Sequence, residues 1–212
     1  SSPPPTAAST PRVTATSESA PVETPPQEAA ILDDSQEVFQ ELAKLNQYTI
    51  SLSVDPVRSH FSGQMRLDYT NQEDVPLDRL YFHLLPNGKS SYGNGSLTVQ
   101  EVSVDGKQAE THLSDNKTIV EVSLPNRLPP GGSSQIQMTF EGRVPVDFGG
   151  SETPEGYGIY NSTDGVMALS GWYPILAVYD QQGWNLDPVS GIGDSVYSDM
   201  AYYQVDLAYP KD

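Results

Sequence analysis

Cysteine is absent from this chain of 212 residues, and basic side chains are scarce. Without cysteine the chain cannot form a disulfide, a thiolate metal site or a cysteine nucleophile. Lys and Arg number 11 against 28 Asp and Glu, which gives a net charge of -17 at pH 7. Nucleic acids and anionic membranes are bound through clustered Lys and Arg. We therefore predict no nucleic-acid partner.

Histidine is also scarce, and its spacing excludes one common kind of zinc site. His60, His83 and His112 are each followed by Phe or Leu, and none lies four residues from another. A zinc-binding helix needs two imidazoles at positions i and i+4. The chain has no Gly-x-Ser-x-Gly nucleophile motif, and no apolar run approaches the roughly 20 residues that span a bilayer. We predict no catalytic residue, no metal ligand and no transmembrane segment.

The first 30 residues differ in composition from the rest. They contain seven prolines, ten Ser or Thr and no aromatic residue. Such a segment cannot bury enough apolar area to offset its ordering entropy, so we predict a disordered tail over 1–30. One interpretation is a tether that holds a lipoprotein at the cell surface, which would make the protein extracellular or cell-surface. The alternative is a terminus without that role.

The rest of the chain, 31–212, is predicted to be one all-β domain. A short amphipathic helix is expected first, over 33–45, because Val38, Phe39, Leu42 and Leu45 recur at spacings of three and four. From residue 47 to 210 the apolar period is two, as in half-buried antiparallel strands. Turn signals bound further strands at 80–85, 97–104, 118–124 and 135–141. This rhythm is typical of an antiparallel saddle or sandwich.

Aromatic residues are concentrated near the C-terminal end. Both tryptophans and eight of the twelve tyrosines lie between Tyr157 and Tyr209. A domain rarely exposes a large apolar patch without a partner, so this segment predicts an interface or a binding surface. Its candidate interface residues are Trp172, Tyr173, Pro174, Tyr179 and Trp184.

The order of the sequence blocks resembles the N-terminal β-domain of the M1 zinc aminopeptidases over about residues 46 to 210. The stretches Tyr48-Thr-Ile-Ser-Leu-Ser-Val-Asp-Pro56 and Phe61-Ser-Gly-Gln-Met-Arg66 are similar to its first hairpin. Val102-Ser-Val-Asp-Gly106 is similar to its central hairpin, and Leu128-Pro-Pro-Gly-Gly-Ser-Ser-Gln-Ile136 to the turn into a late strand. Trp172-Tyr173-Pro174 and a last strand running into Pro210 complete the resemblance.

The resemblance implies a noncatalytic domain in a longer zinc metallopeptidase. In that family the β-domain packs on a downstream catalytic domain, which carries the His-Glu-x-x-His and Gly-x-Met-Glu-Asn motifs, the zinc and the peptide substrate. We expect this sequence to be a piece of such a protein. A family loop that meets the substrate corresponds to about 160–170, where this chain has no Gln or Glu. Only Met167 and Leu169 remain as substrate-facing candidates, with ordinary strand packing as the alternative.

The acidic C-terminal part leaves a different class of function open. Ten acidic residues follow Arg143, and Lys211 is the only basic residue among them. This charge could be a solvated face, could attract a cationic peptide amine, or could bind calcium through Asp187, Asp194 and Asp199. Trp172, Tyr173, Tyr179 and Trp184 could also stack on sugar rings. The alternative function is therefore a freestanding surface module that binds carbohydrate or calcium.

Overall fold

Strands dominate the part of the chain that the structure describes. A computed structural model describes residues 45–89, 92–146, 159–163, 165–190 and 196–211. These residues form the strands β1 (Asn46–Asp55), β2 (His60–Thr70), β3 (Leu77–His83), β4 (Ser96–Val104), β5 (Lys107–Gln108), β6 (Thr111–Leu113), β7 (Ile119–Leu128), β8 (Ser133–Arg143), β9 (Tyr160–Thr163), β10 (Val166–Leu169), β11 (Ile175–Leu176), β12 (Tyr179–Asp180), β13 (Gly183–Trp184) and β14 (Ala201–Ala208). A 3-10 helix covers Leu85–Gly88.

Six of these strands form the larger sheet, in the order β14-β1-β2-β8-β4-β5. Its neighbours are antiparallel except for β14, which runs parallel to β1 from Asn46↔Ala201 to Ser53↔Ala208. A second sheet has the order β11-β3-β7-β6, and β9–β10 and β12–β13 form two separate pairs. No helix among the described residues is long and apolar enough to cross a membrane.

The two larger sheets enclose one hydrophobic core. Period-two alternation aims Ile50 and Leu67 of the larger sheet inward, where they meet Leu80, Phe82 and Val122 of the second sheet, all fully buried. Phe61 lies opposite Gly142, and Phe140 lies opposite Gly63. Each phenyl ring fills the space that a side chain on the facing glycine would occupy. The two glycines therefore make room for both phenyl rings of the β2–β8 ladder.

One turn shows how local sequence fixes the register of a hairpin. Asp105 and Gly106 connect β4 to β5 with φ values of 51° and 74°. Positive φ at both central residues is the requirement of a type I′ turn, which Asp-Gly meets readily. The Asp105 carboxylate also accepts hydrogen bonds from the Ser134 hydroxyl and the Gln135 backbone N–H of β8. The turn is thus attached to the strand beside it.

The structure confirms the predicted all-β, antiparallel fold class and corrects two strand boundaries. The strands expected over 97–104 and 135–141 lie within β4 and β8, and the strand expected over 118–124 begins one residue later, at Ile119 of β7. The strand expected to reach residue 85 ends at His83, because Pro86 in the following 3-10 helix has no N–H to donate to a ladder. The tail over 1–30 and all but the last residue of the helix expected over 33–45 lie outside the described residues.

Candidate domain interface

Two of the predicted interface residues belong to a cluster of rings between β1 and β14. The Tyr203 ring stacks on Tyr48, with centroids 4.9 Å apart and planes 10° apart. Tyr173 meets both rings edge-on, and its hydroxyl donates a hydrogen bond of 3.0 Å to the Tyr203 hydroxyl. Trp172 packs against Tyr173 and against Phe140 of the core. These rings attach β14 to the body of the domain.

The segment before β11 is shaped to bring these rings inward. Gly171 has φ +61°, and a Cβ there would lie 2.9 Å from the Tyr92 hydroxyl and 3.0 Å from Leu85. Only glycine combines that conformation with so close an approach. Pro174 follows and is buried, and the Leu176 N–H then donates to the Tyr48 hydroxyl at 3.2 Å. Burial raises the pKa of both Tyr48 and Tyr173 well above the usual tyrosine range.

Tyr179 and Trp184 form a second, smaller group with Tyr81. They face each other across the β12–β13 pair, with centroids 5.2 Å apart and planes at 89°. The Trp184 ring also lies 5.6 Å from Tyr81 on β3. Both residues are half-buried and pack on the core. All four candidate rings therefore make contacts within this domain and do not form an open stacking platform.

One row of exposed apolar side chains lies on β14. Tyr203, Val205 and Leu207 pair with Tyr48, Ile50 and Leu52 of β1, so they point to the same side of the sheet as these core residues. They are nevertheless 39%, 46% and 58% exposed, because no described residue covers this edge of the sheet fully. We call these three residues the β14 apolar face. Sequence reasoning identified the strand but not this face, although the apolar alternation from Tyr203 to Leu207 was visible.

The two substrate-facing candidates lie together on β10. Met167 pairs with Ser162 and Leu169 pairs with Tyr160 across the β9–β10 ladder. Both side chains are half-buried and pack against the hydrophobic core. This environment supplies an apolar surface without a hydrogen-bonding group at either position.

Among the described residues, no group of three or more His, Cys, Asp or Glu could hold a metal ion. Of the calcium candidates, Asp187 and Asp199 line different cavities, and Asp194 lies outside the described residues. His83 is buried, and its Nε2 lies 3.0 Å from the Asn185 carbonyl oxygen. Burial lowers the pKa of His83, which favours the neutral imidazole that can donate this hydrogen bond. Its role here is structural.

Two acidic side chains share a cavity of about 250 Å³ beside Tyr69 and Trp184. Burial raises the pKa of Asp199. Burial, together with repulsion from Asp199 and Asp74, raises the pKa of Glu73. Ionisation of both acids therefore opposes folding at neutral pH.

We expect the Asp199→Asn variant to be more stable than the parent at pH 7, by less than about 1 kcal/mol because solvent screens the pair. An acid with a raised folded-state pKa destabilises the fold above that pKa, and the penalty disappears as pH falls to the unfolded value, about 3.9 for Asp. Urea unfolding at pH 7 and near pH 4 measures the difference. Asp206→Asn, on exposed β14, is the matched control. An equal gain at both pH values would contradict this account.

Comparison with known structures found similar folds at low sequence identity. The chain is similar to the M1 zinc metallopeptidase from Deinococcus radiodurans, with 24% identity over 62% of this chain and 28% of that chain and a TM-score of 0.45. It is also similar to a two-domain M1 zinc metallopeptidase bound to L-arginine, with 21% identity over 79% of this chain and 32% of that chain and a TM-score of 0.47. The chain thus spans about a third or less of the length of either protein.

Both of these solved structures are M1 zinc metallopeptidases by their descriptions. No protein-family model matches the sequence, and the comparison with curated proteins found no match.

Proposed function

We propose that this chain is the noncatalytic N-terminal β-domain of an M1-like zinc metallopeptidase. In this proposal it packs on a downstream catalytic domain and helps to shape the substrate cleft. The observation that carries the proposal is the β14 apolar face, an uncovered continuation of the core side of the larger sheet. Exposed apolar residues in one contiguous patch are typical of a protein interface.

The surroundings of this face support a docking surface. Tyr209, just after β14, is 72% exposed and continues the alternation of Tyr203, Val205 and Leu207. The strand itself contains one charged residue, Asp206, on the opposite side of the sheet. Natural edge strands usually carry charges or Pro that prevent pairing with other chains. An edge with so little protection is consistent with a partner that covers it.

The candidate residues take defined roles in this proposal. Trp172, Tyr173 and Pro174 hold β14 in place from the core side, while Tyr179 and Trp184 form the neighbouring border of the interface. Met167 and Leu169 supply an apolar wall toward a peptide side chain. In this proposal the downstream domain holds the zinc and the water that it activates for peptide hydrolysis. A secreted or surface-tethered location is part of the same proposal.

Peptidase assays of two proteins test this proposal. We expect the 212-residue chain to leave leucine p-nitroanilide intact with or without added Zn²⁺. The gene product that continues past codon 212 should hydrolyse it and lose that activity on treatment with a chelator. Hydrolysis by the 212-residue chain that persists through repeated purification would contradict the proposal. So would a natural gene product without the His-Glu-x-x-His motif.

A further inference from the structure

A polar cleft lies on the outer face of the larger sheet, on the side opposite the core. Its volume is about 720 Å³, which falls within the roughly 300–1,000 Å³ of small-ligand sites. Uncharged hydrogen-bonding side chains dominate its walls: Thr49, Ser51, Gln64, Gln137, Thr139 and Ser103. Arg66 and Glu101 are the only charged residues that line it within the described part of the chain. The cleft is therefore nearly neutral in a protein of net charge -17.

The strand registers arrange these side chains in two rows across the sheet. One row joins Ser51, Gln64 and Thr139, which pair in turn across β1, β2 and β8. The other joins Thr49, Arg66, Gln137 and Ser103 across β1, β2, β8 and β4. Neighbouring strands are about 4.8 Å apart, so the longer row extends about 14 Å. Such a row can contact several successive units of an elongated ligand.

Hydrogen bonds hold the polar groups of the second row in place. The Arg66 guanidinium donates to the Thr49 hydroxyl at 3.3 Å and to the Asp68 carboxylate at 3.1 Å. The Gln135 amide donates to the other Asp68 oxygen at 2.8 Å, and the Gln137 amide donates to Gln135 at 2.7 Å. Side chains fixed in this way lose less entropy when a ligand binds.

Glu101 enters the cleft through a β-bulge. The β4–β8 register shifts between Gln100 and Val102, and Glu101 has φ +33°, a conformation that L residues rarely adopt. Bulges redirect side chains, and strained backbone of this kind clusters at functional sites. The bulge adds a carboxylate acceptor to walls made of hydroxyl and amide groups.

We propose that this cleft binds a neutral oligosaccharide. Hydroxyl and carboxamide groups donate and accept hydrogen bonds, as a polyhydroxylated ligand requires, and the balanced charge gives no advantage to an ionic one. An extended peptide is a poorer fit. It would bind a sheet through main-chain groups at an edge, whereas β2 and β8 are paired on both sides here. The inference does not depend on the proposed peptidase function.

Titration of the 212-residue chain with neutral trisaccharides tests this site. The probes are cellotriose, maltotriose and tri-N-acetylchitotriose. Isothermal titration calorimetry and amide NMR shifts measure their binding. We expect saturable binding of at least one probe and at least a tenfold loss of affinity in the Gln64→Ala/Gln137→Ala double variant. Ser62→Ala, on the outer face of β2 but outside the cleft, is the control and should bind like the parent. Circular dichroism melting checks that each variant folds.

The proposal is overturned if no probe shows saturable binding in the millimolar range. Equal binding by the double variant, or NMR shifts confined to residues outside the cleft, would overturn it as well. A charged tetrasaccharide of hyaluronan and a cationic peptide serve as competitors. Tighter binding of either would show that the cleft selects charge, contrary to the proposal.

Discussion

We expect the Asn71→Ala variant to lose about 3 kcal/mol of unfolding free energy, because three partly buried backbone groups each lose a hydrogen-bond partner, at about 1 kcal/mol per group. Asn71 is completely buried at the end of β2. Its side-chain amide donates to the Val75 and Leu128 carbonyl oxygens at 2.9 and 3.0 Å. Its side-chain oxygen accepts from the Glu73 N–H at 3.0 Å. Alanine can replace none of these bonds.

The position of Asn71 explains why the loss should affect the whole fold. Its backbone N–H donates to the Gly132 carbonyl, and its own carbonyl accepts from the Gly131 N–H. One residue thus joins the end of β2, the connection to β3 and the turn between β7 and β8. Because β2 and β8 belong to one sheet and β3 and β7 to the other, it fixes how the chain crosses between sheets.

Urea unfolding monitored by circular dichroism at pH 7 measures this loss. Asn116→Ala is the matched control, because Asn116 is exposed and its side chain bonds only within a local turn. We expect the control to cost less than about 1 kcal/mol, as most exposed substitutions do. Similar losses in the two variants would show that Asn71 is not the connection described here.

The strands could be predicted well from the sequence because the apolar alternation that marks each strand lies within a few consecutive residues. In β1, Tyr48, Ile50 and Leu52 alternate with polar residues, and a half-buried strand is the structure that satisfies this pattern. Asp105-Gly106 predicts a tight turn for the same reason, because these two residues readily adopt the backbone conformation that the turn requires. Pro86 marks the end of β3 in the same way.

The exposure of the β14 apolar face, on which the docking proposal rests, could not be predicted from local patterns. Alternation in β14 shows that Tyr203, Val205 and Leu207 share a side. Which side of the sheet this is follows only from the pairing of β14 with β1, a strand about 150 residues earlier in the chain. Trp172 and Tyr173 were reasonable candidates because large rings are common in interfaces. In the fold they pack against Phe140 and Tyr48, and they support the exposed strand from within.

The polar cleft was hidden from sequence reasoning for a related reason. Ser, Thr and Gln at alternate strand positions look like an ordinary solvated face. Only the register shows that Thr49, Arg66, Gln137 and Ser103 form a row, and only the bulge shows that Glu101 points into the cleft.

Leu207→Asp should distinguish a docking surface from part of the folding core. Leu207 is 58% exposed. We therefore expect the unfolding free energy of the isolated variant chain to differ from that of the parent by less than about 1 kcal/mol, as for other exposed substitutions. Against a downstream domain the same change would bury a carboxylate without a partner, which is costly in an apolar contact. We expect the affinity between the 212-residue chain and the separately produced remainder of the gene product to fall about 100-fold, or 2.7 kcal/mol.

Calorimetric titration of the two fragments measures the affinity, and urea unfolding of the chain alone measures its stability. Ser53→Asp is the matched control, because it adds the same charge on neighbouring β1 but on the opposite side of the sheet. If Leu207→Asp weakens the affinity between the two fragments and Ser53→Asp does not, the downstream domain contacts the β14 apolar face. Equal losses would reflect the added charge alone. If Leu207→Asp instead unfolded the isolated chain, the side chain would belong to the core and the docking proposal would lose its main support.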